Sequence, residues 1–395
     1  MSWPLVKLRD CCEVVGGATP KREVPEYWDS PDVPWVTPKD VSDLASPTLE
    51  DAPEYISVVG FKSCSTSMLP KGSVLVTSRA PIGNIAIAGR DLCTNQGFKS
   101  LIPGKSVDGL YLYYCMKHSS QRLQALGNGA TFKEVSKKIV EEFEIPLPPL
   151  PEQKRIAAIL DKADAIRRKR HQAIQLADDF LRAVFLHMFG DPVTNTKGWD
   201  VKRIEEVAAK DKYAIKAGPF GSALKKEDYV PEGYKIYGQE QVIRDDLEYG
   251  DYFINEEKYE SLASCSVSEG DVLISLVGSF GKVSVVPKDY HPGIINPRLM
   301  KIRFNESCAS PWYMKYLLTT KEMIRKIEGM SHGGTMGILN VGKIRDLEVI
   351  NPPLNLQESF LKISTQVRSI KGRCELVAAN PLFDSLSQKA FSGQL

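Results

Sequence analysis

Two long stretches of the chain place apolar or small residues at alternating intervals of three and four. In the first they stand at 156, 159, 163, 166, 173, 177, 180 and 184, with Arg170 in the one polar place. The second offers Leu356, Phe360, Ile363, Val367, Ile370, Cys374 and Val377. That spacing is the seam of a left-handed coiled coil. Ile156, Ile159, Ile166 and Phe180 are therefore expected to meet Phe360, Ile363, Val367 and Ile370. On this reading Ile166→Asp disrupts the pairing. A helix from Pro151 to Phe189 is ~60 Å long at ~1.5 Å per residue, too long to be buried within one small domain. Two such helices pairing antiparallel bury both seams and place globular units at opposite ends. The alternative is that each helix packs on its own domain. Asn380-Pro381 should end or kink the second helix, because proline lacks the donor and clashes with the preceding turn.

Elsewhere the apolar runs are short and β-branched. Val74-Leu75-Val76 and Ile85-Ala-Ile-Ala88 read as strands around the Arg79-Ala-Pro-Ile-Gly83 turn, and Val272 to Leu276 with Val283-Ser-Val-Val286 repeats the arrangement. Leu110 to Met116 and Trp312 to Leu318 read as matching short helices.

The matches extend along the chain as an internal duplication. Trp3-Pro-Leu-Val-Lys-Leu8 returns as Trp199-Asp-Val-Lys-Arg-Ile204, and Gly72-Ser-Val-Leu-Val-Thr-Ser78 as Gly270-Asp-Val-Leu-Ile-Ser-Leu276. Gly83 answers Gly281, Asn95 answers Asn296, Gly129-Ala-Thr131 answers Gly333-Gly-Thr335, and Lys138-Ile139 answers Lys343-Ile344. Pro148-Pro-Leu150 answers Pro352-Pro-Leu354, and the offset drifts only from 196 to 205. The expected fold is α+β: two tandem mixed α/β domains, residues 1–150 and 191–350, separated by long helices at 151–190 and 351–395 that form an antiparallel coiled coil.

Composition narrows the class. The 395 residues are 43% hydrophobic and 25% charged, with 29 glycines and 25 prolines, an ordinary globular balance rich in turns. No run approaches ~18 consecutive apolar residues, so a membrane span is not expected, and Met1-Ser-Trp-Pro-Leu-Val-Lys7 lacks the blocks of a signal peptide. Eight cysteines without a CxxC argue against structural zinc and fit a reducing cytoplasm. With 51 basic and 49 acidic side chains the net charge is +2, so nucleic-acid binding by this chain requires its basic residues to be gathered on one face.

Chemistry of its own is not visible. Asn351-Pro-Pro-Leu354 resembles the Asn-Pro-Pro-aromatic motif of adenine methylases, but leucine replaces the aromatic and no glycine-rich methyl-donor signature accompanies it. The duplicated Leu147-Pro-Pro-Leu150 has no asparagine, so both read as rigid lead-ins to the long helices. His118, His171, His187, His291 and His332 form neither HxH nor HExxH. Glycine-flanked polar loops are better candidates for DNA. In the first unit these are Arg79, Asn95, Gln96, Lys99, Thr131, Lys133, Lys137 and Lys138. In the second they are Ser222 of Gly218-Pro-Phe-Gly-Ser222, Lys225, Gln239, Gln241, Lys282, Arg298, Thr335 and Lys343. Arg, Gln and Asn can read base edges, whereas Lys and Thr more often hold phosphates; a solvated loop residue is the plain alternative for each. Lys162 and the run Arg167-Arg-Lys-Arg-His171 face either DNA, an acidic partner or solvent.

Two similar but non-identical heads on a helical spacer hold two binding sites at a set distance. DNA is a ligand for which distance matters, since its helix repeats every ~34 Å. A protein scaffold satisfies the same geometry. Over essentially its whole length the chain resembles the specificity subunit of type I restriction–modification enzymes. The resemblance rests on the two tryptophan-led openings, Gly72-Ser-Val-Leu-Val-Thr-Ser-Arg-Ala-Pro-Ile-Gly83, Ile145-Pro-Leu-Pro-Pro-Leu-Pro-Glu-Gln-Lys-Arg-Ile156, Met188-Phe-Gly-Asp-Pro192 and Ala390-Phe-Ser-Gly-Gln-Leu395. It implies two target recognition domains, each reading part of a split asymmetric DNA sequence, with helices that measure the gap and dock two methylase subunits. It implies a bacterial or archaeal cytoplasmic protein with no active site of its own. S-adenosylmethionine belongs to the partner methylase, and ATP and Mg to the partner motor-nuclease subunits where restriction occurs. A subunit serving modification only is the alternative within the class. Asn351-Pro-Pro-Leu-Asn-Leu-Gln357 departs from the first hinge by lacking Pro-Glu-Gln-Lys-Arg, which implies a less symmetric docking of the second helix.

Overall fold

A computed structural model describes the chain except residues 1–2, 43, 45, 80, 129–132, 278–280, 331–340 and 379–381, and the side chains of 221 and 375–378. The described residues form two compact units, one of residues 1–174 with 373–395 and one of residues 175–372.

In the first unit a five-stranded sheet runs in the order Cys12–Gly16, Lys99–Pro103, Val74–Val76, Ile85–Ala88, Thr48–Leu49. A three-stranded sheet places Val33–Val36 between Glu54–Ile56 and Cys93–Thr94, with the last pairing parallel. Leu5–Lys7 pairs with Glu144–Pro146, so the first strand returns beside the segment that enters the long helix. The second unit repeats this order. Ile215–Ala217, Leu299–Ile302, Val272–Ser275 and Val283–Val285 form one sheet; Phe253–Ile254, Tyr234–Tyr237 and Gly293–Ile295 lie adjacent in another. Val201–Arg203 pairs with Glu348–Ile350. Each unit adds one short strand of its own: Thr48–Leu49 in the first, Tyr229–Val230 in the second. The expected helices are present as Gly109–His118 and Pro311–Leu318. Both are buried nearly all round, Tyr111, Tyr114 and Tyr313 being at most 1% exposed, because each fills the space between a sheet and a long helix.

The central helix spans Leu150–Phe189 and the C-terminal helix Leu354–Ala378; a further helix spans Leu382–Ser392. The expected break at Asn380-Pro381 lies outside the described residues. Each helix entry is held by a buried glutamine. Gln153 accepts from the Asp108 backbone N–H at 2.8 Å and donates to the carbonyls of Ser106 and Pro148 at 2.9 and 2.7 Å. Gln357 does the same with Ser310, Cys308 and Pro352 at 2.9, 3.0 and 2.8 Å. The second hinge thus keeps the one hinge side chain that clamps the helix to the domain, and the departure at Asn351–Gln357 is smaller than the sequence implies. Pro352 and Pro353 are a lead-in, with the helix starting at Leu354.

The seam needs correction. Ile156, Phe360 and Val367 are buried, and Ile159 and Ile363 half-buried, but Ile166, Phe180 and Ile370 stand 44%, 53% and 52% exposed. In the first unit the buried positions are Gln153, Ile156, Ala157, Leu160, Ala163 and Asp164, the stripe of a helix lying on a globular core rather than of a strict two-helix seam. Asp164 sits fully buried with Lys117, Arg167 and Arg168 around it, which turns that part of the helix away from an all-apolar contact. Helix-to-helix contacts exist within each unit. In the second, Lys371 meets Asp178 at 2.8 Å and Phe360 meets Phe185 at 5.5 Å between ring centres, with opposed chain sense. In the first, the Arg155 guanidinium donates to the Leu395 carbonyl at 2.8 Å, and Arg167 lies 5.5 Å from the Phe383 ring. Long helices therefore pack both on their domains and on each other.

Candidate nucleic-acid interface

Each unit builds the same loop-against-turn arrangement at the ends of equivalent strands. In the first, Asn95 closes an Asx turn: its Oδ1 accepts from the Gly97 N–H at 2.8 Å, and its own N–H donates to Val36 at 3.0 Å. In the second, Asn296 Oδ1 accepts from the Arg298 N–H at 2.9 Å, and its N–H donates to Tyr237 at 2.8 Å. The loop leaving the first strand of each main sheet is pressed onto that turn at a glycine. A Cβ on Gly17 would lie 2.1 Å from the Thr94 carbonyl oxygen, and one on Gly218 would lie 1.9 Å from that of Asn296. Only glycine permits so close a backbone approach. Sequence reasoning placed Gly218 in a candidate loop and missed Gly17; the readable signal was a glycine after an apolar strand at the repeat offset.

Around the first turn the predicted residues divide. Gln96 is exposed and accepts from Thr19 Oγ1. Arg79 and Lys99 converge on the Glu134 carboxylate at 3.0 and 3.6 Å, and Lys99 also reaches Ser78 Oγ at 3.5 Å. Glu134 was not anticipated, since nothing in its local sequence points to Arg79. Lys137 pairs with Glu141 at 3.7 Å on its own helix. Lys133 and Lys138 are exposed, and their ammonium groups make no hydrogen bond or ion pair among the described residues. Thr131 lies outside the described residues.

Around the second turn, Lys225, Gln239, Gln241 and Arg298 line one cleft of about 570 Å³ with Tyr229 and Tyr252. Arg298 and Lys225 are exposed, and their charged groups make no hydrogen bond or ion pair among the described residues. Burial raises the Tyr229 phenol above its ordinary value. Gln241 is corrected from reader to support, while Gln239 stays half-buried at the cleft with its Nε2 held by the fold. Gln241 is 2% exposed, its Oε1 accepting from the Gly238 N–H at 3.0 Å and its Nε2 donating to Ile236 at 3.3 Å. Gln239 donates to Ser275 Oγ at 2.9 Å and to the Val277 carbonyl. Both lie in the first turn of the helix Gln239–Arg244, and Gln241 is the one that caps it, its Oε1 accepting from the Gly238 N–H. Ser222 is exposed in the Gly218 loop, and Lys282 is exposed beyond Gly281. Lys343 is likewise a support, its Nζ donating to the Met330 carbonyl at 2.6 Å. Thr335 lies outside the described residues. In the basic run of the central helix, Arg167 and Arg168 are bound to Asp164, while Lys162, Lys169 and His171 are exposed.

The arrangement offers backbone turns, cationic side chains and neutral hydroxyls, a set suited to phosphates and base edges. Among the described residues no group of His, Cys, Asp and Glu is placed to hold a metal ion, and no helix is long and apolar enough to cross a membrane.

Comparison with known proteins gives this geometry its context. The family model described as the type I restriction modification DNA specificity domain matches twice, over residues 2–176 and 196–373. The chain is 27% identical over 421 residues to the type I restriction enzyme MjaIX specificity subunit of Methanocaldococcus jannaschii, covering 100% of this chain and 93% of that one. It is 30% identical over 157 residues to the EcoR124I/EcoR124II specificity subunit of Escherichia coli, 38% of each chain. Among solved structures, the type I restriction–modification S subunit from M. genitalium superposes with a TM-score of 0.60 at 15% identity, covering 99% of this chain and 96% of that one. A chain from a structural study of type I complex assembly and conformational transition superposes with a TM-score of 0.54 at 19% identity, covering 100% and 98%. With its two domain matches falling on its two structural repeats, the chain belongs to the family of type I restriction–modification specificity subunits.

Proposed function

We propose that the two units read separate parts of a split, asymmetric DNA sequence, each through its loop-and-turn face, and that the chain directs adenine methylation without catalysing it. The observation that carries the reading is the duplicated arrangement with diverged side chains. Gly17 and Gly218 press equivalent loops onto the Asn95 and Asn296 turns, yet Gln96 stands where the other unit has Pro297, and Gly97 where it has Arg298. A conserved frame with different side chains is what two different short sequences demand. In this reading the long helices set the gap and seat two methylase subunits, which carry S-adenosylmethionine. Motor-nuclease subunits with ATP and Mg join where the system restricts. The exposed apolar side chains, Ile166 in the first unit and Phe180 and Ile370 in the second, are then left for the methylases.

The test is a methylated-motif map of cells carrying the chain with its methylase, cells lacking the chain, and cells carrying a four-residue insertion after Ala173. Four residues are close to one helical turn and add ~6 Å, against ~3.4 Å per base pair. The expected map shows a two-part motif that vanishes without the chain. With the insertion its gap widens by one or two pairs, both half-sites unchanged. A motif that persists without the chain, or an assembled insertion variant with an unchanged gap, contradicts the reading.

A further inference from the structure

The most exposed large apolar side chain among the described residues is Phe220, at 78%. It stands at the tip of the loop that Gly218 presses onto the Asn296 turn. Gly218 and Pro219 before it are buried, so the loop is anchored at its root while the ring is held outward. The loop runs on into Leu224 and Lys225, and the turn beneath it carries Arg298; both segments line the cleft that Lys226 also borders. The cleft into which the loop of this exposed ring runs is lined by Lys225, Lys226 and Arg298 against one carboxylate, Glu240, a balance of charge that favours a polyanion. The equivalent tip of the first unit, two residues past Gly17, is Thr19, which is hydrogen-bonded to Gln96 and has no ring.

We propose that Phe220 is a wedge that enters duplex DNA at the half-site read by the second unit and unstacks one base step, while the first unit reads its half-site without such a wedge. The proposal rests on the DNA-recognition reading above and adds a residue and a deformation to it. Apolar side chains inserted between base steps kink DNA and let it follow a protein surface more closely. The flanking cations hold the phosphates on either side of the opened step. The unstacking cost depends on the step, so the wedge selects sequence at a position where no hydrogen bond is made.

The test uses the full chain assembled with its partner methylase, on a duplex carrying the mapped target. 2-Aminopurine is placed in turn at each purine except the methylated adenine, which methyltransferases extrude themselves. Its fluorescence rises where stacking is lost. A rise is expected at one step of the second half-site and at none of the first. Phe220→Ala should abolish that rise and weaken binding about tenfold. Phe220→Leu and Phe220→Trp should keep it, and all three variants should retain the wild-type melting temperature, the side chain being exposed. Specific binding without a rise anywhere, or a rise that survives Phe220→Ala, overturns the wedge and leaves DNA recognition standing. Failure of the wild-type assembly to prefer its target overturns the recognition reading itself. Loss of methylase assembly by Phe220→Ala in the absence of DNA assigns the ring to a protein contact and also overturns the wedge.

Discussion

Gln153 and Gln357 share three equivalent hydrogen bonds from a side chain at most 1% exposed, and in each unit they tie the first turn of a long helix to the loop before the buried short helix. Replacing either by alanine leaves buried N–H and C=O groups unpaired at about 1–3 kcal/mol each. With three such groups in each case, Gln153→Ala and Gln357→Ala are therefore expected to destabilise by about 3 kcal/mol or more in urea denaturation. Gln→Glu should do no better, since a carboxylate cannot donate to two carbonyls. A loss below about 0.5 kcal/mol, the size of a surface substitution, would show the clamp to be dispensable. The pair is legible in the sequence as Pro-Pro-Leu-x-x-Gln at both hinges. Other residues were not legible. A glutamine near a glycine looks the same whether it reads a base or caps a helix, so Gln241 could not be told from a reader. The ion pair of Arg79 with Glu134 joins residues far apart in sequence. Phe220 was in view within its loop, but exposure is a property of the fold.

At the scale of elements, alternation of three and four residues announced two long helices and put each in its place. It could not say which face would be buried. Apolar and small residues lie on more than one stripe of the central helix, and the choice among stripes is made by the tyrosine-rich short helix and by Asp164 with its cations. Leu160 is fully buried in the first unit and Phe360 in the second, where it meets Phe185, Phe189 and Tyr316. Leu160→Ala should cost about 2–5 kcal/mol and Phe360→Ala about 3–5. Ile166→Asp, on a 44% exposed position, should leave the urea midpoint of the isolated chain unchanged while weakening assembly with the methylase. An unfolded Ile166→Asp chain would restore the strict seam. Strand positions were easier, because Val74–Val76 and Ile85–Ala88 are bounded by glycine and proline turns. Their order in the sheet depends on pairings across a hundred residues and was beyond local pattern.

For the whole molecule, duplication was the feature the sequence carried best, since matched glycines, asparagines and prolines survive where loops diverge. It now has a structural counterpart in two sheets of equivalent strand order and two turns of equivalent hydrogen bonding. What differs between the two units lies in the side chains mounted on that common frame, Gln96 and Thr19 in one, Arg298, Lys225 and Phe220 in the other. The most direct test is to exchange residues 199–350 for the matching domain of another specificity subunit, keeping both long helices, and to map methylated motifs genome-wide. The account predicts that the second half-site changes to that of the donor, while the first half-site and the gap remain. A change in both half-sites, or in neither with methylation intact, would contradict it.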